Sequence, residues 1–301
     1  MKILILGING FLGNHLGRHF SKTAQITGID RSQPTFSDFC EYISMQLPDD
    51  DLSAILKKSQ PDIIIHAAGS ANVGSSVAWP WLDFQNSVPL WASLLEQVRQ
   101  ETPASKLIFL SSAAVYGDPK TLPIKESNSI QPVSPYGYHK QMCEQLSEYY
   151  AGFYGLQICN IRIFSAYGPG LRRQVLWDIC QKAITQERVE LMGSGQEQRD
   201  FVEIRDIARA IEIVIQKGIF LGGAYNLASG YPTTISGLAM QILKTLSSSK
   251  ELVFSGQQRS GDPLKWQADI SSLQTLGFEP EISLSQGVQD YVNWFLRNSG
   301  K

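Results

Sequence analysis

The most constraining feature of this chain is its opening, KILILGINGFLG (Lys2–Gly13). Ile3–Leu6 is a short aliphatic run stopped by glycine, the pattern of a strand buried on both faces of a parallel sheet. The next stretch, GFLGNHLGRHFSK, has helical spacing. Gly7, Gly10 and Gly13 occupy the junction with GxxGxxG rather than GxGxxG spacing. Glycines here permit a tight turn and let an anion approach the main chain closely. The first N–H groups of a helix lack intrahelical partners, so those of Phe11, Leu12 and Gly13 are candidates to receive it. Strand, glycine turn and helix in immediate succession predict a pyrophosphate cradle made of main chain.

QITGID (Gln25–Asp30) predicts the second strand. A carboxylate at its end, Asp30, can accept both ribose hydroxyls of NAD and would repel a 2′-phosphate. Arg31 beside it suits a 2′-phosphate, so NAD is the expected cofactor, with NADP left open. PDIIIHAAG, SKLIFLSSAAVYG and LQICNIRIF continue the strands, while FQNSVPLWASLLEQVRQ and SPYGYHKQMCEQLSEYYAGFYG have the spacing of helices. Strands alternating with helices imply a doubly wound parallel sheet, a Rossmann-type α/β fold. From Ser165 onward, glycine- and proline-bearing loops alternate with shorter helices at 204–216 and 235–246, the pattern of a smaller mixed α/β lobe. The expected division is 1–164 for dinucleotide binding, with the segment near 200–217 returning to it, and 165–301 mainly for substrate.

Composition bounds the partners. The 301 residues are 43% hydrophobic and 18% charged, with a formal net charge of −2. No Lys/Arg-rich run is present, so a nucleic-acid partner is not expected. Cys40, Cys143, Cys159 and Cys180 stand far apart, without CxxC or metal-ligand spacing, and are expected to be buried free thiols with no metal site. No apolar run approaches the length of a membrane span, and the aliphatic start is too short for a secretory signal. A soluble cytoplasmic protein is the expectation.

The stretch SPYGYHK places Tyr136 and Lys140 four residues apart, on one face of a helix. A phenol is a poor base at neutral pH, but a nearby ammonium and a cationic nicotinamide favour its phenolate. A tyrosinate can take the proton of a sugar hydroxyl while hydride leaves the same carbon, and the reverse serves reduction. Ser112, at the end of a parallel strand, offers the hydroxyl that would orient the substrate. The pair alone is weak; its place among the other motifs gives it weight.

GxxGxxG, HAAG (His66–Gly69), SSAAVYG, PYGYHK and QRDFVEIRDIARA succeed one another as in the extended short-chain dehydrogenases/reductases. The chain most resembles the NAD-dependent epimerase/dehydratase branch, which modifies nucleotide sugars, and the resemblance runs nearly to its end. It implies that Ser112, Tyr136 and Lys140 are catalytic, that Ala67, Ala68 and Gly69 line the nicotinamide channel, and that Asn86 supports that pocket. It also implies that Arg199 and Arg259 contact the substrate diphosphate, as suits guanidinium. Ser165 stands where many epimerases carry asparagine, which changes how substrate is placed, and Arg172 or Arg173 could assist. Dehydratases and decarboxylating members carry an acid just after the catalytic Ser/Thr; Ala113 and Ala114 stand there. What survives is C4 epimerisation through a 4-keto intermediate or, alternatively, reduction of a nucleotide 4-keto-6-deoxy sugar. A non-catalytic cofactor-sensing protein on the same fold is a third reading, set against by the Tyr/Lys pair. The resemblance further implies a role in polysaccharide or deoxysugar synthesis and a homodimer joined through Gln85–Gln100 and Tyr136–Tyr150. Trp79, Trp81 and Trp91 are expected to pack and anchor loops rather than stack on sugar.

Overall fold

A computed structural model of the chain describes residues 1–32, 41–257 and 263–298. Cys40 and Arg259 lie outside them. The strands of the main sheet begin with β1 (Lys2–Leu6), β2 (Gln25–Asp30), β3 (Glu41–Ser44), β4 (Ile63–His66), β5 (Lys106–Ser112) and β6 (Gln157–Ile163). The chain then leaves the sheet for β7 (Ser165–Tyr167), β8 (Arg188–Leu191) and β9 (Gln198–Glu203), returns with β10 (Leu221–Leu227), and ends its strands with β11 (Pro232–Thr234) and β12 (Glu251–Phe254). Seven of these pair in the order β10-β6-β5-β4-β1-β2-β3, every neighbour parallel. Strand order reverses between β1 and β4, so the turn after each opens on the same crevice, where ligands of open α/β sheets bind. The strand at Glu41–Ser44 has no clear sign in the sequence: it is a short edge strand with no aliphatic run, half-exposed throughout.

Both faces of the sheet are covered, which is why the central strands are aliphatic at nearly every position. One face packs Ile3, Ile5, Ile65 and Ile161 against α1 (Phe11–Phe20) and α8 (Ile204–Lys217). The other packs Leu4, Leu6, Ile64 and Phe109 against α2 (Ser53–Ser59), α5 (Val88–Glu101) and α6 (Pro135–Tyr154). Between α2 and α5 lie the short α3 (Val73–Ala78) and α4 (Pro80–Gln85). A single helix over 84–100 is not what forms. Pro89 sits in the first turn of α5, where its missing N–H costs nothing but where α4 could not have continued. The break leaves Asn86 and Ser87 between the two helices.

A second core joins α7 (Gln174–Thr185), α9 (Ile235–Thr245) and α11 (Leu284–Asn298), with Tyr291, Val292 and Phe295 buried among Ile179, Leu238 and Ile242. The short α10 (Ser271–Thr275) packs beside β10. Residues 204–227 lie with the main sheet: Ile207, Ile211 and Val214 of α8 belong to its core, and β10 extends its edge. Cys143, Cys159 and Cys180 are buried free thiols, and burial pushes each up to about 12. No helix of the described residues is long and apolar enough to cross a membrane.

Candidate active site

The glycine cradle is closed by main-chain contact. A Cβ on Gly13 would stand 2.1 Å from the carbonyl oxygen of Gly7, and one on Gly7 (φ +80) would stand 2.6 Å from the amide nitrogen of Ala68. The turn after β1 thus rests directly on the turn after β4, and only hydrogen fits at either glycine. Gly10 is the N-cap of α1 and brings no side chain to it. The N–H groups of Phe11, Leu12 and Gly13 open that helix at its positive end, as an anion requires. Asp30 is fixed on the rim: Oδ2 accepts the Asn9 N–H at 3.0 Å, and Oδ1 accepts the Arg31 N–H at 2.8 Å. Asn9, which no sequence motif singled out, also ties the turn after β1 to that after β2 by donating to Ser32, at 2.9 Å. Arg31 is exposed.

Across the crevice Gly69 (φ +105) lies so close to the chain between α4 and α5 that a Cβ would stand 2.8 Å from Asn86 O. The side chain of Asn86 turns back to donate to Leu82 O of α4, at 2.8 Å. The adjacent Ser87 has a buried hydroxyl with no hydrogen-bond partner among the described residues. An unsatisfied buried hydroxyl is costly and calls for an explanation, and a ligand group is one. These features fit a dinucleotide: a cradle a side chain would fill, a fixed carboxylate at the ribose position, and a hydroxyl in want of a partner.

Ser112 closes β5 and caps the single 3₁₀ turn Ala113–Tyr116, its Oγ accepting from the Ala114 N–H at 3.2 Å. Helix α6 starts opposite. Ser134 caps it, accepting from the Gly137 N–H at 3.2 Å, and Pro135 occupies its first turn. A Cβ on Gly137 would stand 2.5 Å from Ala114 O, so this glycine lets the helix start rest on the turn after Ser112. Tyr136 packs against the core cluster that includes Ala113 and Ala114, and its N–H donates to the buried Ser76 Oγ at 3.1 Å. Ser76 likewise carries no sign of its role in the sequence. Lys140, only 6% exposed, donates to Leu110 O at 2.9 Å and lies 5.7 Å from the Tyr136 ring centre. The start of α6, with Tyr136 and Lys140, therefore meets the turn after Ser112 at the carboxyl end of β5.

Behind them runs a buried polar network. Glu144 accepts from Ser111 Oγ at 2.5 Å and from Arg162 Nη2 at 2.7 Å, while Arg162 Nη1 donates to the Tyr116 hydroxyl at 2.7 Å. That hydroxyl donates in turn to Asn226 Oδ1. Burial first, offset in part by Arg162, pushes Tyr116 up to about 12, so it stays a hydroxyl. The network joins the strand of Ser112, the helix of Lys140 and the edge strand β10.

Residues 3–228 match the family described as the NAD dependent epimerase/dehydratase family. The chain belongs to that family. Among solved structures of similar proteins, the UDP-N-acetylglucosamine 4-epimerase of Methanobrevibacter ruminantium, in complex with UDP-N-acetylmuramic acid, is 28% identical with a TM-score of 0.90 over 98% of each chain. The UDP-glucose 4-epimerase of Thermotoga maritima, with UDP-glucose, is 26% identical with a TM-score of 0.92 over 99% of this chain and 100% of that one. The UDP-glucuronic acid 4-epimerase of Bacillus cereus, bound to UDP-glucuronic acid and NAD, is 25% identical with a TM-score of 0.90 over 99% of each. NAD is the cofactor of this epimerase/dehydratase family member.

The other expected residues divide. Ser165 opens β7, where it pairs with Phe201 of β9. Arg199 lies on β9 with its guanidinium 5.6 Å over the ring of Trp266, which packs with the Ala113–Tyr116 turn. Arg172 stacks against Trp177 and Trp294. The tryptophans need correcting. Trp91 is fully buried, but Trp79 and Trp81 are 68% and 67% exposed. The α3–α4 segment is anchored instead by buried Asp83, which pairs with His139 Nδ1 at 2.5 Å, while Trp81 stacks on Phe84.

Proposed function

We propose that the protein interconverts the C4 epimers of a nucleotide-activated hexose through a 4-keto intermediate. The observation that carries this is the meeting of the start of α6 with the turn after β5. A buried ammonium stands beside Tyr136, the start of its helix rests on the turn of Ser112, and alanine occupies both positions where an eliminating enzyme needs its acid. Ser112 orients the sugar 4-hydroxyl, and Tyr136 takes its proton as the C4 hydrogen leaves as hydride. NAD, when bound, accepts that hydride and gives it back. Lys140 favours the tyrosinate and is placed to reach the cofactor ribose. Once the keto sugar turns its opposite face, Tyr136 returns the proton to the new alkoxide and the epimer is complete. Gly7, Gly10, Phe11, Leu12, Gly13 and Asp30 hold the dinucleotide, with Ala67, Ala68 and Gly69 lining its path. Asn86 supports that pocket, together with the adjacent Ser87 hydroxyl. Arg199 faces the diphosphate, and Arg259 shares that role.

Similar proteins named for UDP-glucose, UDP-N-acetylglucosamine and UDP-glucuronate set the first substrates to try. On this proposal residues 1–164, with the returning 204–227, form the cofactor lobe, and most of the remainder forms the substrate lobe. The protein works in the cytoplasm, where nucleotide sugars are made and where free thiols persist. A second copy covers the outer face of α6, where Tyr138, Met142, Tyr149 and Phe153 form an exposed stripe at helical spacing. Replacing Tyr136 with Phe tests the assignment: turnover should fall at least ~10²-fold while NAD stays bound. Undiminished turnover would remove Tyr136 from the mechanism.

A further inference from the structure

Lys140 is a buried cation with an unusual set of neighbours. Its ammonium has three donors, one of which goes to Leu110 O. Among the described residues it makes no salt bridge. What stands beneath it is the ring of Phe109, with Nζ 4.7 Å from the ring centre. Phe109 is 1% exposed and leads toward Ser112 on β5. Its ring packs in turn on Trp91 (4.8 Å between centres) and His66 (5.7 Å), and those two rings stack on each other at 5.2 Å. The Trp91 indole N–H donates to Cys143 O at 3.0 Å and approaches Ser147 Oγ at 3.2 Å, both on the helix that carries Lys140. The contacts form a closed circuit from α6 through Lys140, Phe109 and Trp91 back to α6.

We propose that Phe109 is a positioning residue for the reaction, its ring face holding the Lys140 ammonium where it favours the tyrosinate form of Tyr136. A desolvated ammonium without a carboxylate needs a compensating field, and the negative face of an aromatic ring supplies one, most strongly where water is excluded. A carboxylate in that place would serve the cation but would work against a second anion at Tyr136; an aromatic ring carries no net charge and does not. His66 fits the same logic. Burial first, then Lys140, hold it down to about 3, so the imidazole stays neutral beneath the ammonium. The titratable groups interacting with Lys140 are Tyr136 and Cys143 on its own helix and His66 on β4. Glu144 and Asp83, which also act on Cys143, are paired with Arg162 and His139.

The inference rests on the function proposed above, and its test separates the two. Phe109→Leu removes the ring but also reshapes a core strand, so the decisive set places mono-, di- and trifluorinated phenylalanine at 109. These keep the shape and progressively withdraw the negative face. Two readings are taken on the holoprotein: phenolate absorbance against pH, subtracting the matching Tyr136→Phe protein, and the pH–rate profile on UDP-hexoses. With each fluorine step, phenolate formation and the acid limb should move together to higher pH, by roughly half to one unit across the set. KM should stay within about twofold while kcat falls at low pH and recovers at high pH. If phenolate formation stays put in folded fluorinated proteins, Phe109 only packs and the proposal is overturned. If no nucleotide sugar is turned over, the epimerase reading fails, while the absorbance titration still decides the role of Phe109.

Discussion

Removing the carboxylate of Glu144 isolates the buried network behind the triad. Glu144 and Arg162 are 3% and 5% exposed. The carboxylate accepts from Ser111 Oγ at 2.5 Å, from Arg162 Nε at 3.1 Å to each oxygen, and from Nη2 at 2.7 Å. In Glu144→Ala the guanidinium keeps only the Tyr116 hydroxyl and the carbonyl of Glu126, leaving a buried charge without its counter-ion. Breaking such a pair costs about 3–5 kcal/mol, and at about 2–4 °C per kcal/mol for a chain of roughly this size the midpoint should fall by on the order of 10 °C. The assay is thermal or urea unfolding at one fixed cofactor concentration, because bound ligand adds its own stabilisation. A second protein, Glu144→Leu with Arg162→Met, removes both charges and should regain most of the loss, even though Ser111 and Tyr116 each lose a partner. A Glu144→Ala cost below about 1 kcal/mol, or a double variant weaker than the single one, would refute the counter-ion argument.

Gly13→Ala should abolish dinucleotide retention, since its Cβ would meet the carbonyl of Gly7 at 2.1 Å; normal cofactor content after purification would contradict the cradle. His66 gives a pH dependence. Its imidazole is held down to about 3 when folded against 6.5 ordinarily, so the unfolded chain binds the extra proton below pH 6.5. Stability tied to His66 is complete above 6.5 and is lost progressively as pH falls toward 3, by about 1.4 kcal/mol per unit at most. Stability curves of the protein and of His66→Phe should therefore converge on acidification; parallel curves would argue against a neutral buried imidazole. Tyr149→Glu with Phe153→Glu should halve the mass seen by light scattering, and a monomeric unaltered protein would dispose of the α6 interface.

What the sequence made legible was whatever a short segment decides by itself. The glycines at 7, 10 and 13 are needed because main chain meets main chain within one turn, and the spacing displays that demand. Tyr136 and Lys140 share a face because both stand on one helix. The residues missed are set by contacts between distant segments. Ser76 meets Tyr136 only after folding. Ser87 gives no local sign because it is the break between α4 and α5 that leaves its hydroxyl buried beside Asn86. Trp79 and Trp81 are exposed although indole favours burial, and the segment that carries them is held by the buried His139–Asp83 pair instead, a contact between distant segments. The Glu144–Arg162 pair was invisible because two charges far apart in sequence give no local sign that they meet in the core.

The measurement that bears most directly on the central claim is the fate of the C4 hydrogen. Purified holoprotein is incubated with UDP-glucose, UDP-N-acetylglucosamine or UDP-glucuronate in D₂O, with no reductant added, and the epimer is examined at C4. Hydride transfer within a closed site predicts an epimer that keeps its original hydrogen and forms without net consumption of reductant. Deuterium at C4, or product only when a stoichiometric reductant is supplied, would contradict it.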